Sequence, residues 1–263
     1  MKNINDLKKF KAESKKISMV TCYDHWSAKI LKKSSVHCLL VGDSVSMVVH
    51  GFDSTIHATT EMMTTHTQAV TRAQTGKFIV TDLPFLAHRK GKKELIKCAD
   101  TLMKAGANAL KIEAAPGQEK MVKYLSDSGI PVIGHVGLTP QYVHQFGGYK
   151  VQGKTKNQQQ VILEHSMALE EAGCHAMVLE CVPNLLAQKI TASLSIPTIG
   201  IGAGKQVDGQ VLVLHDLLGF SEDFKPRFVR EFAQGESWMR QALDDYSQAV
   251  EAQHFPKLEE SFQ

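Results

Sequence analysis

The stretch Leu39-Leu40-Val41-Gly42-Asp43-Ser44 joins three apolar residues to a glycine, then sets a carboxylate and a hydroxyl side by side. This order is typical of a buried strand of a parallel sheet that delivers polar groups at its carboxyl end. Four later stretches repeat the arrangement and end at Asp82, Glu113, His135 and Glu180. Because parallel α/β folds bind ligands at that edge, we expect these side chains to share one site.

The order of elements along the chain predicts a (β/α)8 TIM barrel of the α/β class. Strands and helices alternate about eight times, and glycines such as Gly106, Gly129 and Gly173 follow the helices. The alternation specifies a parallel sheet, and eight units favour a closed barrel over an open doubly wound sheet. The predicted strands span residues 17–22, 36–41, 78–82, 109–113, 131–135, 175–180, 197–201 and 210–214.

Segments outside this alternation supply an extra N-terminal helix and C-terminal helices. Residues 2–15 have the apolar spacing of a short helix, which we expect to cover one end of the barrel. The long polar segment 43–58 is predicted to be an active-site insertion. From Phe224 onwards the pattern predicts two amphipathic helices, with apolar side chains at Phe228, Phe232, Trp238, Leu243 and Tyr246. Because no shift in composition divides the chain, we expect residues 1–263 to form one domain.

The composition favours a small-molecule partner. Hydrophobic residues make up 43% and charged residues 22% of the 263 residues, and the formal net charge is +3. The basic residues are dispersed, which argues against nucleic acid as a partner. No apolar run has the length of a membrane span, and the five cysteines, an odd number without CxxC spacing, are typical of free thiols. We therefore expect a cytoplasmic location.

Three carboxylates follow neighbouring predicted strands. Asp43, Asp82 and Glu113 come at the ends of the second, third and fourth strands. Together at one rim they would repel each other unless they were protonated or held a cation, so we predict a divalent metal site. Oxygen ligands without an accompanying cysteine or histidine pair favour magnesium over zinc. Each acid taken alone could instead be a helix N-cap or a surface residue.

Lys111, His135 and Glu180 complete the candidate residues. Lys111 precedes Glu113 by two positions and therefore points to the same side of its strand. It could form a Schiff base or hold a substrate carboxylate, and the nearby acids favour the second role. Glu180 could be a general base or half of a structural ion pair. His135 could hydrogen-bond a substrate, or it could be a satisfied structural histidine.

A glycine-rich stretch, Gly200-Ile201-Gly202-Ala203-Gly204, follows the seventh predicted strand. Barrels often bind phosphate at this position. The stretch fails as a dinucleotide fingerprint, because its third glycine comes too early and no acid follows at the right distance. A tight turn is favoured over close approach to a ligand.

Several blocks of sequence, in order between about residues 10 and 246, resemble one known family. They are Val41-Gly42-Asp43-Ser44, Gly51-Phe52-Asp53-Ser54-Thr55, Thr81-Asp82-Leu83-Pro84-Phe85, Lys111-Ile112-Glu113, Gly134-His135-Val136-Gly137-Leu138-Thr139-Pro140-Gln141, Phe146 to Gly153, Leu179-Glu180-Cys181-Val182-Pro183, and Gly200 to Gly204 with Asp208-Gly209-Gln210. The chain resembles ketopantoate hydroxymethyltransferase, also called 3-methyl-2-oxobutanoate hydroxymethyltransferase. The number of ordered blocks makes the resemblance specific.

The resemblance implies a (β/α)8 barrel that transfers a one-carbon unit from 5,10-methylenetetrahydrofolate to 3-methyl-2-oxobutanoate in pantothenate synthesis. The products would be 2-dehydropantoate and tetrahydrofolate, formed through a magnesium-stabilised enolate. By the same resemblance, the magnesium ligands are Asp43, Asp82 and Glu113, the 2-oxoacid-binding residues are Asp43, Ser44, Asp82 and Lys111, and the proton acceptor is Glu180. The family also implies a homo-oligomer, typically a decamer.

Two positions depart from the family pattern. Ser46 stands where glycine is usual, and Ala114-Ala115 follows Lys111-Ile112-Glu113 where paired glycines are common. Both departures lie beside the expected site, so the shapes of its loops could differ. Two rival functions remain at this stage: a magnesium-dependent lyase or aldolase acting on a 2-oxoacid, and a barrel that only binds ligands or serves as a scaffold.

Overall fold

The computed structural model describes residues 1–221 and 225–262. The chain divides into two compact units, Met1–Leu212 and Val213–Gln263. The expectation of one domain over residues 1–263 stays a prediction. Among the described residues, every helix is too short or too polar to cross a bilayer.

Eight parallel strands of the first unit form a closed barrel in sequence order. β1 pairs with β8 as well as with β2, which closes the sheet on itself. This closure confirms the (β/α)8 barrel predicted from the alternation of elements. The strands are β1 Ile17–Thr21, β2 Cys38–Val41, β3 Phe78–Asp82, β4 Ala109–Ile112, β5 Val132–Gly137, β6 Cys174–Glu180, β7 Thr198–Ile201 and β8 Gly209–Leu212.

Helices connect these strands, and local capping chemistry explains where several of them begin. Asp24 accepts a hydrogen bond from the Ser27 N–H, and Thr59 accepts one from the Met62 N–H. The described helices of the first unit are α1 Ile4–Ala12, α2 His25–Lys32, α3 Val45–Val48, α4 Thr60–Arg72, α5 Lys92–Lys104, α6 Glu119–Asp127, α7 Val143–Phe146, α8 Lys156–Glu171 and α9 Asn184–Ser193. Those of the second unit are α10 Leu214–Leu218 and α11 Gly235–Glu251.

The lower half of the barrel interior is apolar and is plugged by the N-terminal helix. Alternate residues of the strands, such as Ile17, Phe78 and Val178, belong to one buried cluster, because successive side chains of a strand point to opposite faces. Leu7 of α1 is fully buried in the same cluster. The predicted role of the N-terminal helix as a cover for one end of the barrel is therefore confirmed.

Some predicted boundaries were wrong. The eighth strand ends at Leu212, because α10 begins at Leu214 and the Leu217 N–H bonds to the Val213 carbonyl. Only one α-helix, α11, lies among the described residues after Phe224, which itself lies outside the described residues. Phe228 and Phe232 precede that helix, and the Phe232 N–H is bonded to the Leu217 carbonyl instead of within a helix.

Candidate active site

Strand geometry places four of the predicted side chains inside the upper rim of the barrel. Asp82, Lys111, His135 and Glu180 each lie two residues after a member of the buried interior cluster. Because side chains alternate with a period of two, all four point into the barrel above that cluster. Asp82 and Lys111 also lie opposite each other in the register of β3 and β4. His135 lies within β5 and not at its end, since that strand continues to Gly137.

Asp43 and Ser44 enter the site from the turn that follows β2. The Asp43 N–H donates to Asp82 Oδ2 at 3.0 Å, which joins this turn to the neighbouring strand. A Cβ atom at Gly42 would lie 2.9 Å from Ser44 Oγ, so glycine at this position lets the hydroxyl fold back. The sequence Gly42-Asp43-Ser44 therefore fits a tight turn that presents two polar groups at the rim.

The Lys111 ammonium lies among acids and is almost completely buried. Its Nζ is 3.2 Å from Asp82 Oδ2, 3.6 Å from Glu113 Oε1 and 3.1 Å from His135 Nδ1. Burial lowers the pKa of Lys111, but the carboxylates of Asp82, Glu113 and Asp43 outweigh it and raise the pKa above its usual value. A Schiff base requires a neutral amine, so this environment favours the role of a fixed cation.

His135 links Lys111 and Glu113 to Glu180. Its Nδ1 lies 3.3 Å from Glu113 Oε1, and its Nε2 lies 3.4 Å from Glu180 Oε2. Burial and Lys111 lower the pKa of His135, yet the two glutamates outweigh them and raise it to about 9. Nε2 carries a hydrogen in the protonated ring and in the neutral ring whose Nδ1 accepts from Lys111. The ring therefore lies beside the Glu180 carboxylate in either state, although Nε2 makes no hydrogen bond to it.

The pKa values of the three carboxyl groups predicted to bind the metal do not shift in the same direction. Burial, with the charges of Asp82 and Glu113, raises the pKa of Asp43 well above its usual range. Burial also raises the pKa of Asp82, although Lys111 partly offsets the effect. For Glu113, His135, Lys111 and the Gln141 N–H outweigh burial and lower the pKa. Asp43 and Asp82 are therefore the acids whose ionised form is least stabilised by the surrounding protein.

This charge distribution fits a divalent cation. Asp82 Oδ1 is buried and has no hydrogen-bond partner, although a buried carboxylate oxygen requires one. Across residues 1–221 and 225–262, however, no three His, Cys, Asp or Glu side chains are arranged as a ready-made metal site. Magnesium commonly uses one or two carboxylates and takes its other oxygens from water or substrate, so the donor set is compatible with it. The magnesium site at Asp43, Asp82 and Glu113 stays a prediction.

Two buried residues of the site received no role from the sequence. Gln141 donates through Nε2 to Asp43 Oδ2 at 2.8 Å and to the Leu83 carbonyl at 2.9 Å, while its backbone N–H donates to Glu113 Oε2 at 3.0 Å. Gln141 thereby holds two of the acids in place. Its position gives no local signal, since a 3-10 turn at Pro140–Tyr142 carries it back over the rim.

Tyr23 is the second of these residues. Its hydroxyl forms a 2.7 Å hydrogen bond with Ser44 Oγ, and the residue is 1% exposed. Its spacing could have revealed it, because Tyr23 continues the alternation of Ile17 and Met19 along β1.

Comparison with known proteins identifies the family to which this barrel belongs. The sequence pattern of the family described as ketopantoate hydroxymethyltransferase matches residues 1–258. The chain belongs to the ketopantoate hydroxymethyltransferase family. A 3-methyl-2-oxobutanoate hydroxymethyltransferase of Legionella pneumophila (strain Corby) is 52% identical over 260 residues, which cover 98% of this chain and 99% of that protein. The protein of the same name from Bdellovibrio bacteriovorus is 48% identical over 262 residues, covering 100% of both chains.

Solved structures of distant sequence share the fold of this family member. Phosphonopyruvate hydrolase in complex with oxalate and Mg²⁺ superposes with a TM-score of 0.63 at 11% identity, covering 99% of this chain and 93% of that one. 2,3-Dimethylmalate lyase, a member of the PEP mutase/isocitrate lyase superfamily, gives 0.60 at 13% identity, covering 100% and 92%. At these identities the likeness concerns the barrel alone.

Ser46 and Ala114-Ala115, the two departures from the ketopantoate hydroxymethyltransferase pattern, fit the structure without backbone strain. The Ser46 hydroxyl lies 2.8 Å from the Asp43 carbonyl and 3.0 Å from the Ser54 carbonyl, so it ties the two ends of the loop together. The Ala114 carbonyl accepts a 2.8 Å hydrogen bond from His165 Nε2. Neither alanine has positive φ, so a side chain causes no backbone strain there.

The glycine-rich stretch packs as a tight turn, as favoured from the sequence. Gly202 and Gly204 have φ of 63° and 81°. A Cβ atom at Gly204 would clash with the Asn184 side chain, and the Gly204 carbonyl accepts from Gln210 Nε2 at 2.8 Å. The glycines therefore serve close packing within the protein.

Proposed function

We propose that this chain transfers a hydroxymethyl group from 5,10-methylenetetrahydrofolate to 3-methyl-2-oxobutanoate, with magnesium, in pantothenate biosynthesis. Membership of the ketopantoate hydroxymethyltransferase family supports the transfer itself. The observation that carries the proposal for this site is the cluster of buried Asp43, Asp82 and Lys111 with the partly exposed Glu180, because it offers cation ligands, a fixed cation and a base at one rim of the barrel.

The 2-oxoacid would bind through its two oxygen-bearing groups. Asp43, Asp82 and Glu113 would hold magnesium, and Ser44 and Lys111 would supply a hydroxyl and an ammonium to the substrate. When bound, magnesium supplies Lewis acidity at the keto oxygen, which favours loss of the C3 proton by several kcal/mol. Lys111 would balance the substrate carboxylate, a role that its raised pKa supports.

Glu180 would take the proton from C3. Its carboxylate lies at the end of β6, with Oε2 3.4 Å from His135 Nε2. A positioned base of this kind contributes about 10²- to 10⁴-fold in rate. His135 would thus act beside Glu180, either by orienting its carboxylate or by donating a hydrogen bond to a substrate oxygen.

The transfer consumes one water, and its atoms balance. The C3–H bond breaks and the electron pair left on C3 forms a bond to the methylene carbon of the folate. Both bonds from that carbon to the folate nitrogens break, and the water oxygen becomes the new hydroxyl group. The proton from C3 and one proton from water end on the two folate nitrogens, which yields 2-dehydropantoate and tetrahydrofolate.

The direct test is product formation from 3-methyl-2-oxobutanoate and 5,10-methylenetetrahydrofolate, followed by NMR with magnesium and with EDTA. We expect 2-dehydropantoate with magnesium and none with EDTA. Product formation that persists in EDTA would refute the metal assignment. No product from folded protein with magnesium would refute the folate reaction and favour a lyase or aldolase acting on the 2-oxoacid.

Assembly and location belong to the same proposal. We infer a homo-oligomer, of decameric size by family resemblance, and a cytoplasmic location. All five cysteines carry free thiols, which is compatible with a reducing compartment. Size-exclusion chromatography with light scattering would measure the number of subunits.

A further inference from the structure

A cavity of about 280 Å³ opens beside the acid cluster, between β5 and α8. Its walls come from the segment after β4, from β5 and α7, and from the first half of α8. Its volume lies just below the roughly 300–1,000 Å³ of pockets that take drug-sized ligands. It therefore suits a compact ring system, with any flexible extension left in solvent.

The cavity reaches the reacting groups through His135, which belongs both to its wall and to the acid cluster. His135 Nε2 lies 3.4 Å from Glu180 Oε2, so the cavity is one side chain away from the proposed base. A transfer between two substrates requires their reacting carbons to approach to about 3–3.5 Å. The second substrate must accordingly bind in a space that adjoins the 2-oxoacid site, as this cavity does.

The walls have the chemistry of a heterocycle site. Tyr142 and Phe146 present two rings with centroids 6.5 Å apart, and Val161 of α8 adds an aliphatic surface. Gln145 and Asn157 line the cavity with carboxamides that make no hydrogen bond to other described residues. Carboxamides pair with adjacent donors and acceptors on a ring edge, and aromatic faces stack on flat rings.

Exposed lysines near the cavity lining in sequence suit a ligand that carries an anionic extension. Lys150, Lys154 and Lys156 flank, in sequence, the lining residues Gln152 and Asn157, and all three lysines are exposed. The cavity wall is tied together where His165 Nε2 donates to the Ala114 carbonyl at 2.8 Å. The cavity thus has one wall held by a hydrogen bond, and exposed basic residues adjoin its lining residues in sequence.

We propose that this cavity binds the pterin ring system of the folate co-substrate, with the glutamate tail directed towards the lysine-bearing segment. The inference rests on the proposed function for its choice of ligand. A second cavity, lined by Thr59, Thr64, Pro84 and Lys97 among others, contains none of the cluster residues and is the alternative site.

A cavity-filling variant with a matched control tests the proposal. Val161→Trp would fill the cavity from α8, where Val161 is 46% exposed, so the helix tolerates the larger side chain. Met167→Trp is the control, since Met167 lies on the same helix, is 49% exposed and does not line the cavity. The probe is tetrahydrofolate, with binding measured by calorimetry. A second readout is deuterium exchange at C3 of 3-methyl-2-oxobutanoate with magnesium and no folate.

We expect Val161→Trp to weaken tetrahydrofolate binding by about tenfold or more, while C3 exchange stays within about twofold of the unmodified protein. Met167→Trp should change neither. Equal tetrahydrofolate affinity in Val161→Trp and the unmodified protein would overturn the proposal and favour the second cavity, and so would failure of the unmodified protein to bind tetrahydrofolate. If binding depends on Val161 but the unmodified protein shows no C3 exchange, the cavity assignment stands and the proposed function fails.

Discussion

Replacement of Gln141 by leucine tests whether this amide prepares Asp43 to hold a cation. The side chain is buried and makes two hydrogen bonds, one to the Asp43 carboxylate at 2.8 Å and one to the Leu83 carbonyl at 2.9 Å. Leucine keeps most of the volume but removes both donors. The backbone N–H, which donates to Glu113, is unchanged by the substitution.

The expected size of the effect depends on the charged hydrogen-bond partner of Gln141, which is the Asp43 carboxylate. A hydrogen bond to a buried carboxylate contributes about 1.5–3 kcal/mol, and the neutral bond to Leu83 contributes about 0.5–1.5 kcal/mol. The first value corresponds to about 10- to 150-fold in an equilibrium constant. Loss of groups that orient metal ligands typically weakens metal affinity about 10- to 100-fold. We therefore expect the magnesium concentration for half-maximal C3 exchange to rise about 10- to 100-fold.

The assay is deuterium exchange at C3 of 3-methyl-2-oxobutanoate, followed by NMR over a magnesium titration without folate. Gln118→Leu is the matched control, because Gln118 is also a buried rim glutamine but bonds to the Ala115 N–H and not to an acid. Urea unfolding of both variants measures any loss of stability. A magnesium requirement within about twofold of the unmodified protein, or an equal rise in Gln118→Leu, would refute the reasoning.

Three further substitutions test other parts of the site. Glu180→Gln should retain 2-oxoacid binding by calorimetry but lose about 10²- to 10⁴-fold in kcat, and an unchanged kcat would reject Glu180 as the base. Asp82→Ala should weaken magnesium and 2-oxoacid binding together, because one carboxylate serves both; calorimetry that finds either affinity intact counts against the site. Ser46→Ala should lower the free energy of unfolding in urea by about 1 kcal/mol, since the hydroxyl joins Asp43 to Ser54; no change would mean that this bond does not hold the loop.

Sequence reasoning predicted most of the fold because the fold depends on local pattern. Apolar runs, five of which end at a polar residue, located all eight strands to within a few residues, and their alternation with helices specified the barrel. The prediction of two helices after Phe224 was wrong for a physical reason. Phe228 and Phe232 have the spacing of a helix face, but Pro226 lacks a backbone N–H, and the Phe232 N–H bonds elsewhere.

The candidate site was predicted as a set of residues but not as a set of contacts. The period of two along a strand was enough to bring Asp82, Lys111, His135 and Glu180 to one rim. It could not say that His135 would lie between Glu113 and Glu180, because that contact depends on ring orientation in the packed barrel.

The sequence by itself determined the barrel and the rim at which its acids and its lysine gather. Both follow from the alternation of side chains along strands that pair in order. Only the tertiary structure decided which carboxylates have their charge stabilised by neighbouring groups, and which residues form hydrogen bonds to them. Gln141 and Asp43 lie 98 positions apart, so their hydrogen bond has no local signal in the sequence. Closure of the barrel creates that contact, and burial there makes the charges on Asp43 and Asp82 unfavourable without a cation.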